Sequence, residues 1–117
     1  MEERHVTRNK SFGFAVRIVR LAQYLRREHR EFVLSKQILK SGTSIGANVE
    51  EASAAQSRND FVSKMAIASK EARETLYWLR LLEAGDYLDS NAARSLSDDC
   101  DELICLLTAI VKTAKGG

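Results

Sequence analysis

Residues 34–56 of the chain read LSKQILKSGTSIGANVEEASAAQ, and the spacing within this stretch decides the fold. Residues that recur at steps of three or four lie on one face of an α-helix. The apolar face so defined consists of Leu34, Ile38, Ser41, Ile45, Val49 and Ala52. A second, mostly polar line runs beside it through Gln37, Ser41, Ser44, Asn48, Glu51 and Ala55. The stretch is therefore predicted to form the second helix of a compact helical domain.

Two glycines, Gly42 and Gly46, lie inside this predicted helix. A glycine in a helix interior costs roughly 1 kcal/mol relative to alanine. The neighbouring serines and alanine are also small, so another backbone can come close at this point. We expect that packing to compensate for the cost of the glycines.

The composition fits one compact helical domain. The chain has 117 residues, enough for one hydrophobic core, and it contains no proline, the residue that most often breaks helices. No apolar run reaches the roughly 18–20 residues of a membrane span, and the first residues lack the apolar segment of a signal peptide. We therefore expect a cytoplasmic protein with no membrane partner.

Apolar stripes at the same spacing predict three further helices, the first of them from near Ser11 to about Arg27 after a flexible tail over residues 1–10. The stripe of the first helix is Phe14, Ile18, Leu21 and Leu25. That of the third helix is Phe61, Met65, Ala68, Ala72, Thr75, Leu76 and Leu79, and that of the fourth is Leu96, Cys100, Leu103, Leu107, Ile110 and Ala114. Four amphipathic helices with short connections predict an all-α fold, an antiparallel up-down-up-down four-helix bundle that forms a single domain over residues 1–117.

The ends of the later helices are predicted from capping residues. Asn59 or Asp60 is expected to cap the third helix, because these side chains accept hydrogen bonds from first-turn amides. Gly85 is expected to end that helix in a left-handed conformation. Ser90 or Asn91 is expected to cap the fourth helix.

Some apolar residues lie outside the core stripes and predict a contact between subunits. Phe12 and Val16 lie at the edge of the basic face of the first helix. The third helix carries a second, partly apolar line of Ile67, Glu71, Glu74, Trp78 and Leu81. A small bundle needs only one apolar face on each helix, so the second line indicates an oligomer interface.

The polar line on the second helix allows two interpretations. In one, Ser44, Asn48 and Glu51 belong to a hydrogen-bond network that fixes the register of the helices. In the other, they line a groove or a central channel of an oligomer and contact a partner. The sequence leaves both open.

Charge is distributed unevenly along the chain. Residues 1–40 hold ten Lys or Arg and four Asp or Glu, a net charge of +6, whereas residues 41–117 hold eight and twelve, a net charge of −4. The positive charge includes a stripe on the first helix, which with a preceding lysine comprises Lys10, Arg17, Arg20, Arg27 and Arg30.

Two hypotheses account for this stripe. It binds the phosphate backbone of RNA or DNA, or it is a solvated face that pairs with acidic residues of another subunit. Phosphate contacts of this number give weak binding unless an oligomer repeats them. No exposed aromatic residue is expected between the arginines, so little sequence preference is predicted.

The sequence offers no catalytic or metal-binding constellation. Cys100 and Cys105 lie five positions apart on one predicted helix and point about 140° apart, so they cannot form a disulfide. His5 and His29 lie far from both cysteines. We therefore expect no enzyme activity, no metal and no cofactor.

Several segments together resemble the four-helix proteins known as 23S ribosomal RNA intervening-sequence proteins. They are Lys10–Ser11–Phe12 with Phe14–Ala15, Leu34 to Gln37, Ser41 to Glu51, and the run KEARETLYWL over residues 70–79. The chain is also similar to the accessory proteins of diversity-generating retroelements. That similarity implies a homopentamer and favours binding of RNA or DNA, and it implies no catalytic residues.

The expected function is thus that of a non-enzymatic oligomeric bundle, with the basic stripe as the candidate nucleic-acid surface. The alternative is a protein-protein interaction scaffold with no role in nucleic-acid binding. The candidate oligomer interface or polar network comprises Phe12, Val16, Ser44, Asn48, Glu51, Ile67, Glu74, Trp78 and Leu81.

Overall fold

Four long helices form the chain in the computed structural model, which describes residues 2–116. They are α1 (Glu2–His29), α2 (Leu34–Ser53), α3 (Arg58–Ala84) and α4 (Ser90–Ala114). The connections between them are short, and the described part of the chain contains no strand. The predicted all-α fold with four helices is confirmed.

The N-terminus differs from the prediction. Helix α1 begins at Glu2 instead of near Ser11, so residues 2–10, which were expected to be a flexible tail, continue the helix. The reason is that Thr7 and Ser11 extend the buried stripe of α1 although both are polar, and each is almost completely inaccessible to solvent. Met1 lies outside the described residues.

The caps of α3 and α4 lie one to three residues before the predicted positions. Ser57 caps α3, and its hydroxyl accepts a hydrogen bond from the amide of Asp60 at 3.0 Å. Asp89 caps α4, and its carboxylate accepts from the amide of Ala92 at 2.8 Å. The predictions of Asn59 or Asp60, and of Ser90 or Asn91, were therefore wrong. A capping side chain accepts a hydrogen bond from the amide of the third helical residue. Those residues are Asp60 and Ala92, so the predicted caps already lie inside the helices.

The end of α3 is also corrected. Gly85 follows the helix with a φ of −87°, which is not a left-handed conformation. The next residue, Asp86, has a φ of 66° and makes the reversal instead. Aspartate tolerates this region better than most residues do, so the turn does not depend on the glycine.

Consecutive helices run in opposite directions. Between α1 and α2 and between α2 and α3, residues near the start of one helix contact residues near the end of the other, as an antiparallel arrangement requires. For α3 and α4, residues near the start of α3 line the same cavity as residues near the end of α4. Helices α1 and α2 are joined by contacts of Arg8 with Glu50 and of Arg26 with Ser35, and α2 and α3 by contacts of Glu51 with Lys64 and of Ser41 with Thr75. Cys100 contacts Ala72 between α3 and α4. Lys10 pairs with Glu102, and Arg17 with Asp99, between α1 and α4. Of the four pairs of helices that pack against each other, α1 and α4 have the sparsest contact.

The apolar stripes predicted from the sequence meet in the centre of the bundle and form the core. The largest fully buried side chains come from all four helices and include Ile18, Ile45, Leu79 and Leu107. Cys100 is buried with them, and its thiol contacts the carbonyl oxygen of Ala72 at 3.2 Å. The burial raises the pKa of this thiol from 9.0 to about 12. The folded state therefore favours the protonated thiol more strongly than the unfolded state does. The contribution of this thiol to the free energy of unfolding is lost as the pH rises from 9 toward 12.

The side chain of Ile18 on α1 packs closely against Gly42 of α2. A Cβ atom at this position would lie 2.8 Å from both γ-carbons of Ile18, whose side chain is fully buried. Distances this short force a side chain or a helix to move. The expected compensation for the glycines is thus visible at Gly42, where the missing side chain makes room for Ile18.

We expect the variant Gly42→Ala to lower the free energy of unfolding by about 1–3 kcal/mol through overpacking, which outweighs the gain in helix propensity. Gly13→Ala is the matched control, because a Cβ at Gly13 meets no atom within 4 Å. The control should raise the free energy of unfolding by roughly 0.5–1 kcal/mol. Urea denaturation followed by circular dichroism measures both. Equal stabilisation by the two variants would contradict the close approach of α1 and α2.

Candidate nucleic-acid and subunit interfaces

The structure divides the five candidate nucleic-acid residues into two groups. Lys10 and Arg17 face α4 and form ion pairs there. The Lys10 ammonium lies 3.1 Å from Glu102, and the Arg17 guanidinium lies 2.6 Å from Asp99. Arg17 also donates to the hydroxyl of Ser95 at 2.9 Å. These two cations therefore help to hold α1 against α4.

The other three, Arg20, Arg27 and Arg30, are exposed on the second half of α1 or just beyond its end. Arg27 pairs with its neighbour Glu28 at 3.0 Å, and both side chains remain largely exposed. Among the side chains that the structure describes, no carboxylate forms an ion pair with Arg20 or Arg30. We call these three arginines the basic patch.

The ion pairs also explain part of the uneven charge distribution. Basic residues early in the chain meet acidic residues of α2 and α4 within the same molecule, as Arg8 does with Glu50 at 3.0 Å. Such partly exposed pairs contribute only about 0–1 kcal/mol each to stability, but each neutralises a cation within the chain. The pairs weaken the case for Lys10 and Arg17 as nucleic-acid residues but leave the basic patch available.

The structure exposes an apolar strip on α1. Phe12 is 70% exposed, although it is a large aromatic side chain, and Val16 is half-buried beside it. Val19, which the sequence reading overlooked, is also exposed, three positions after Val16 on the same side of the helix. We call Phe12, Val16 and Val19 the α1 strip. Between this strip and α2 lies a shallow groove of about 280 Å³ that Ala15, Thr43 and Ala47 help to line.

A second exposed strip follows α3. Ile67 and Leu81 are exposed, and Trp78 is half-buried and packs partly against the core. The indole nitrogen of Trp78 donates to Glu74 at 3.1 Å, which fixes the ring along the helix. Tyr77 was missed by the sequence reading. It contacts Trp78 edge to face at a centroid distance of 5.1 Å and adds to the strip. We call Ile67, Tyr77, Trp78 and Leu81 the α3 strip.

The polar line on α2 does not form one continuous network. Asn48 donates to the carbonyl of Ser44 at 2.9 Å and lies 3.1 Å from its hydroxyl, so its contacts are within α2. Glu51 pairs with Lys64 of α3 at 3.1 Å. Within the described residues, no buried side-chain nitrogen or oxygen lacks a hydrogen-bond partner.

A buried polar contact between α2 and α3 joins Ser41 and Thr75. Their hydroxyl oxygens are 2.9 Å apart, and the Thr75 hydroxyl also lies 2.8 Å from the carbonyl of Glu71. Each hydroxyl has one hydrogen, so Thr75 can donate to that carbonyl while it accepts from Ser41. This pair fixes the register of α2 against α3, which is the role that the first interpretation gave to the whole line.

A groove between α1 and α4 corrects one prediction about the basic stripe. Tyr24, four positions after Arg20 on α1, is 38% exposed and lines this groove together with Arg20. An exposed aromatic ring therefore does lie beside the basic patch. The spacing of Tyr24 from Arg20 was visible in the sequence, but its exposure depends on how far α4 lies from α1.

The described part of the chain contains no group of three or more side chains that could hold a metal ion. Another cavity, of about 440 Å³, lies at the end of the bundle beside Arg4, Ser57 and Arg58. The guanidinium of Arg4 stacks 4.2 Å from the ring centroid of Phe61 there. None of the described lining residues of this cavity is an acid or a histidine that could serve as a general base.

No helix in residues 2–116 has both the length and the apolar character needed to cross a lipid bilayer.

Comparison with known proteins agrees with the resemblance seen in the sequence. The sequence model described as "23S rRNA-intervening sequence protein" matches residues 3–109. The chain is also similar to a crystal structure of a protein with unknown function from the S23 ribosomal protein family of Bacteroides thetaiotaomicron. The two are 52% identical, the match covers 94% of this chain and 98% of the other, and the TM-score is 0.93. No curated protein matches the chain.

Proposed function

The chain belongs to the family of 23S rRNA-intervening sequence proteins, and we propose that it is a non-enzymatic subunit of a homo-oligomer that binds RNA or DNA through its basic patch. The observation that carries the proposal is the pair of exposed apolar strips on α1 and α3. We also propose a cytoplasmic location for the protein, because the exposed thiol of Cys105 is free and a reducing compartment keeps such a thiol reduced.

The apolar strips support self-association. Burial of a large apolar side chain contributes about 1.5–3 kcal/mol relative to leaving it in water, and Phe12 alone is 70% exposed. The α1 strip and the α3 strip are different surfaces on different helices. A contact between two different surfaces is head-to-tail, and such contacts close into rings when the rotation between subunits permits. The homopentamer that the family resemblance implies is one such ring.

The basic patch supports binding of a polyanion. Three arginines per subunit give only weak, salt-dependent binding, because each phosphate contact contributes a small increment through counterion release. A ring that repeats Arg20, Arg27 and Arg30 raises the effective concentration of phosphate-binding groups. Contacts to phosphate do not distinguish one sequence from another.

The alternative function is a protein-interaction scaffold with no role in nucleic-acid binding. The ion pairs of Lys10 with Glu102 and of Arg17 with Asp99 favour it, because they neutralise part of the basic stripe within the chain. In that case the strips would still join subunits, and the basic patch would only keep the protein soluble.

To test assembly, we expect Phe12→Gln and Leu81→Gln each to reduce the mass of the oligomer at micromolar concentration, because each replaces one exposed apolar anchor with a helix-forming polar residue. Val33→Gln is the control, since Val33 is as exposed as Phe12 but lies between α1 and α2, outside both strips. Sedimentation velocity measures the mass, and circular dichroism checks that helix content is retained. Retention of the full mass by both strip variants would refute the role of the strips.

To test the basic patch, we expect the double variant Arg20→Glu/Arg27→Glu to abolish binding of a fluorescein-labelled nucleic acid that the wild type binds at low salt. Arg73→Glu/Arg80→Glu on α3 is the matched control, because both double variants change the net charge from +2 to −2. The control should keep most of the affinity, as measured by fluorescence anisotropy. Equal loss in both would show that net charge, and not the patch, determines binding.

A further inference from the structure

We propose that the groove between α1 and α4 binds a nucleobase, so that the protein prefers single-stranded RNA or DNA to a duplex. The proposal rests on the proposed function, because the basic patch must bind the phosphates beside that base. We call this groove the α1–α4 groove. Arg20 and Tyr24 line it on the α1 side, and Asp89 and Ala92 line it on the α4 side.

The size and the floor of the groove suit a flat aromatic group. Its volume of about 430 Å³ lies within the range of roughly 300–1,000 Å³ that is typical of small-molecule sites. Leu21, Leu88 and Leu96 are buried and give it an apolar floor, and Ala92 leaves space because its side chain is small. A nucleobase that enters the groove would cover apolar surface that is now in contact with water.

Tyr24 provides an aromatic ring that is held in place before any ligand binds. Its hydroxyl lies 3.2 Å from Nε2 of His29, and the two rings meet edge to face at a centroid distance of 5.3 Å. His29 makes a second edge-to-face contact with Tyr87, also at 5.3 Å. Because Tyr87 belongs to the connection between α3 and α4, these contacts tie the end of α1 to the far side of the groove. A fixed ring loses little conformational entropy when a base stacks on it.

The charges around the groove indicate how a strand would lie. Arg20 is on the α1 side, and Arg27 follows seven positions later, which corresponds to about 10 Å along a helix. Asp89 is on the opposite side, at the start of α4, where one of its oxygens already accepts from the amide of Ala92. Phosphates are attracted to the arginines and repelled by Asp89, so the backbone would follow α1 and the base would point toward α4.

A duplex cannot use this groove in the same way. Its bases are paired and stacked on each other, and withdrawing one from the helix costs a few kcal/mol. The bases of a single strand are free to stack on exposed aromatic side chains. The groove therefore adds affinity for a single strand only, whereas the basic patch contributes to the binding of both.

The test compares a labelled single strand of twelve nucleotides with the duplex of the same sequence, by fluorescence anisotropy at low salt. The wild type should bind the single strand more tightly. Tyr24→Leu should lower the affinity for the single strand about tenfold and leave the affinity for the duplex unchanged. Phe32→Leu is the matched control, since Phe32 is an exposed aromatic residue between α1 and α2 that lies outside both strips and outside the lining of the groove, and it should change neither affinity.

A second variant, Ala92→Leu, fills the groove with a helix-forming residue and keeps Tyr24 intact. It should reproduce the selective loss, and it keeps the test valid if Tyr24→Leu does not fold. A loss that is equal for single strand and duplex, or no loss in either variant, would overturn the base site, while the effect of Arg20→Glu/Arg27→Glu would still support the proposed function. Failure of the wild type to bind either probe would overturn both.

Discussion

The close approach of α1 to α2 at Gly42 is the constraint on which the rest of the arrangement depends. Because Gly42 has no side chain, Ile18 packs directly on the backbone of α2. One turn further along α2, a Cβ at Gly46 would lie 3.4 Å from the carbonyl oxygen of Ser11, so the two helices remain close over this length. Helix α1 is thereby held toward α2, and its packing against α4 is sparse. The ion pairs of Lys10 and Arg17 span that looser side.

Two properties of the surface follow from this arrangement. The separation of α1 from α4 leaves a groove with a buried apolar floor and exposes Tyr24 beside Arg20. The tight packing of α1 on α2 also turns Phe12 and Val19 outward, since the face of α1 toward the core is already filled by residues such as Phe14 and Ile18. The same helix thus carries a core stripe, an apolar strip and the basic patch on different parts of its circumference. A helix with three such surfaces fits a protein that works by contacting other molecules.

The sequence predicted the helices and the core well because burial of apolar side chains at a spacing of three or four is a local property. It predicted the N-terminus poorly, because Thr7 and Ser11 are buried polar residues that do not look like part of an apolar stripe. The caps at Ser57 and Asp89 were missed by one to three residues, because several residues that can cap a helix stand together at each position.

The candidate interfaces were harder to predict, because they depend on which helices become neighbours. The pairing of Arg17 with Asp99 joins residues that are 82 positions apart, and only the fold brings them together. The Asn48 amide donates to Ser44 within α2, whereas Ser41 and Thr75 form a buried contact between α2 and α3. The exposure of Tyr24 depends on the distance between α1 and α4, and the periodicity of the sequence does not determine that distance.

The mass of the wild-type protein in solution, measured by sedimentation equilibrium over a range of micromolar concentrations, tests most directly whether the exposed strips join subunits. If they do, the mass is a multiple of the 13.1 kDa chain, and about five times that value for a pentamer. A single species of 13.1 kDa throughout that range would contradict it, because the strips would then remain in water without a partner.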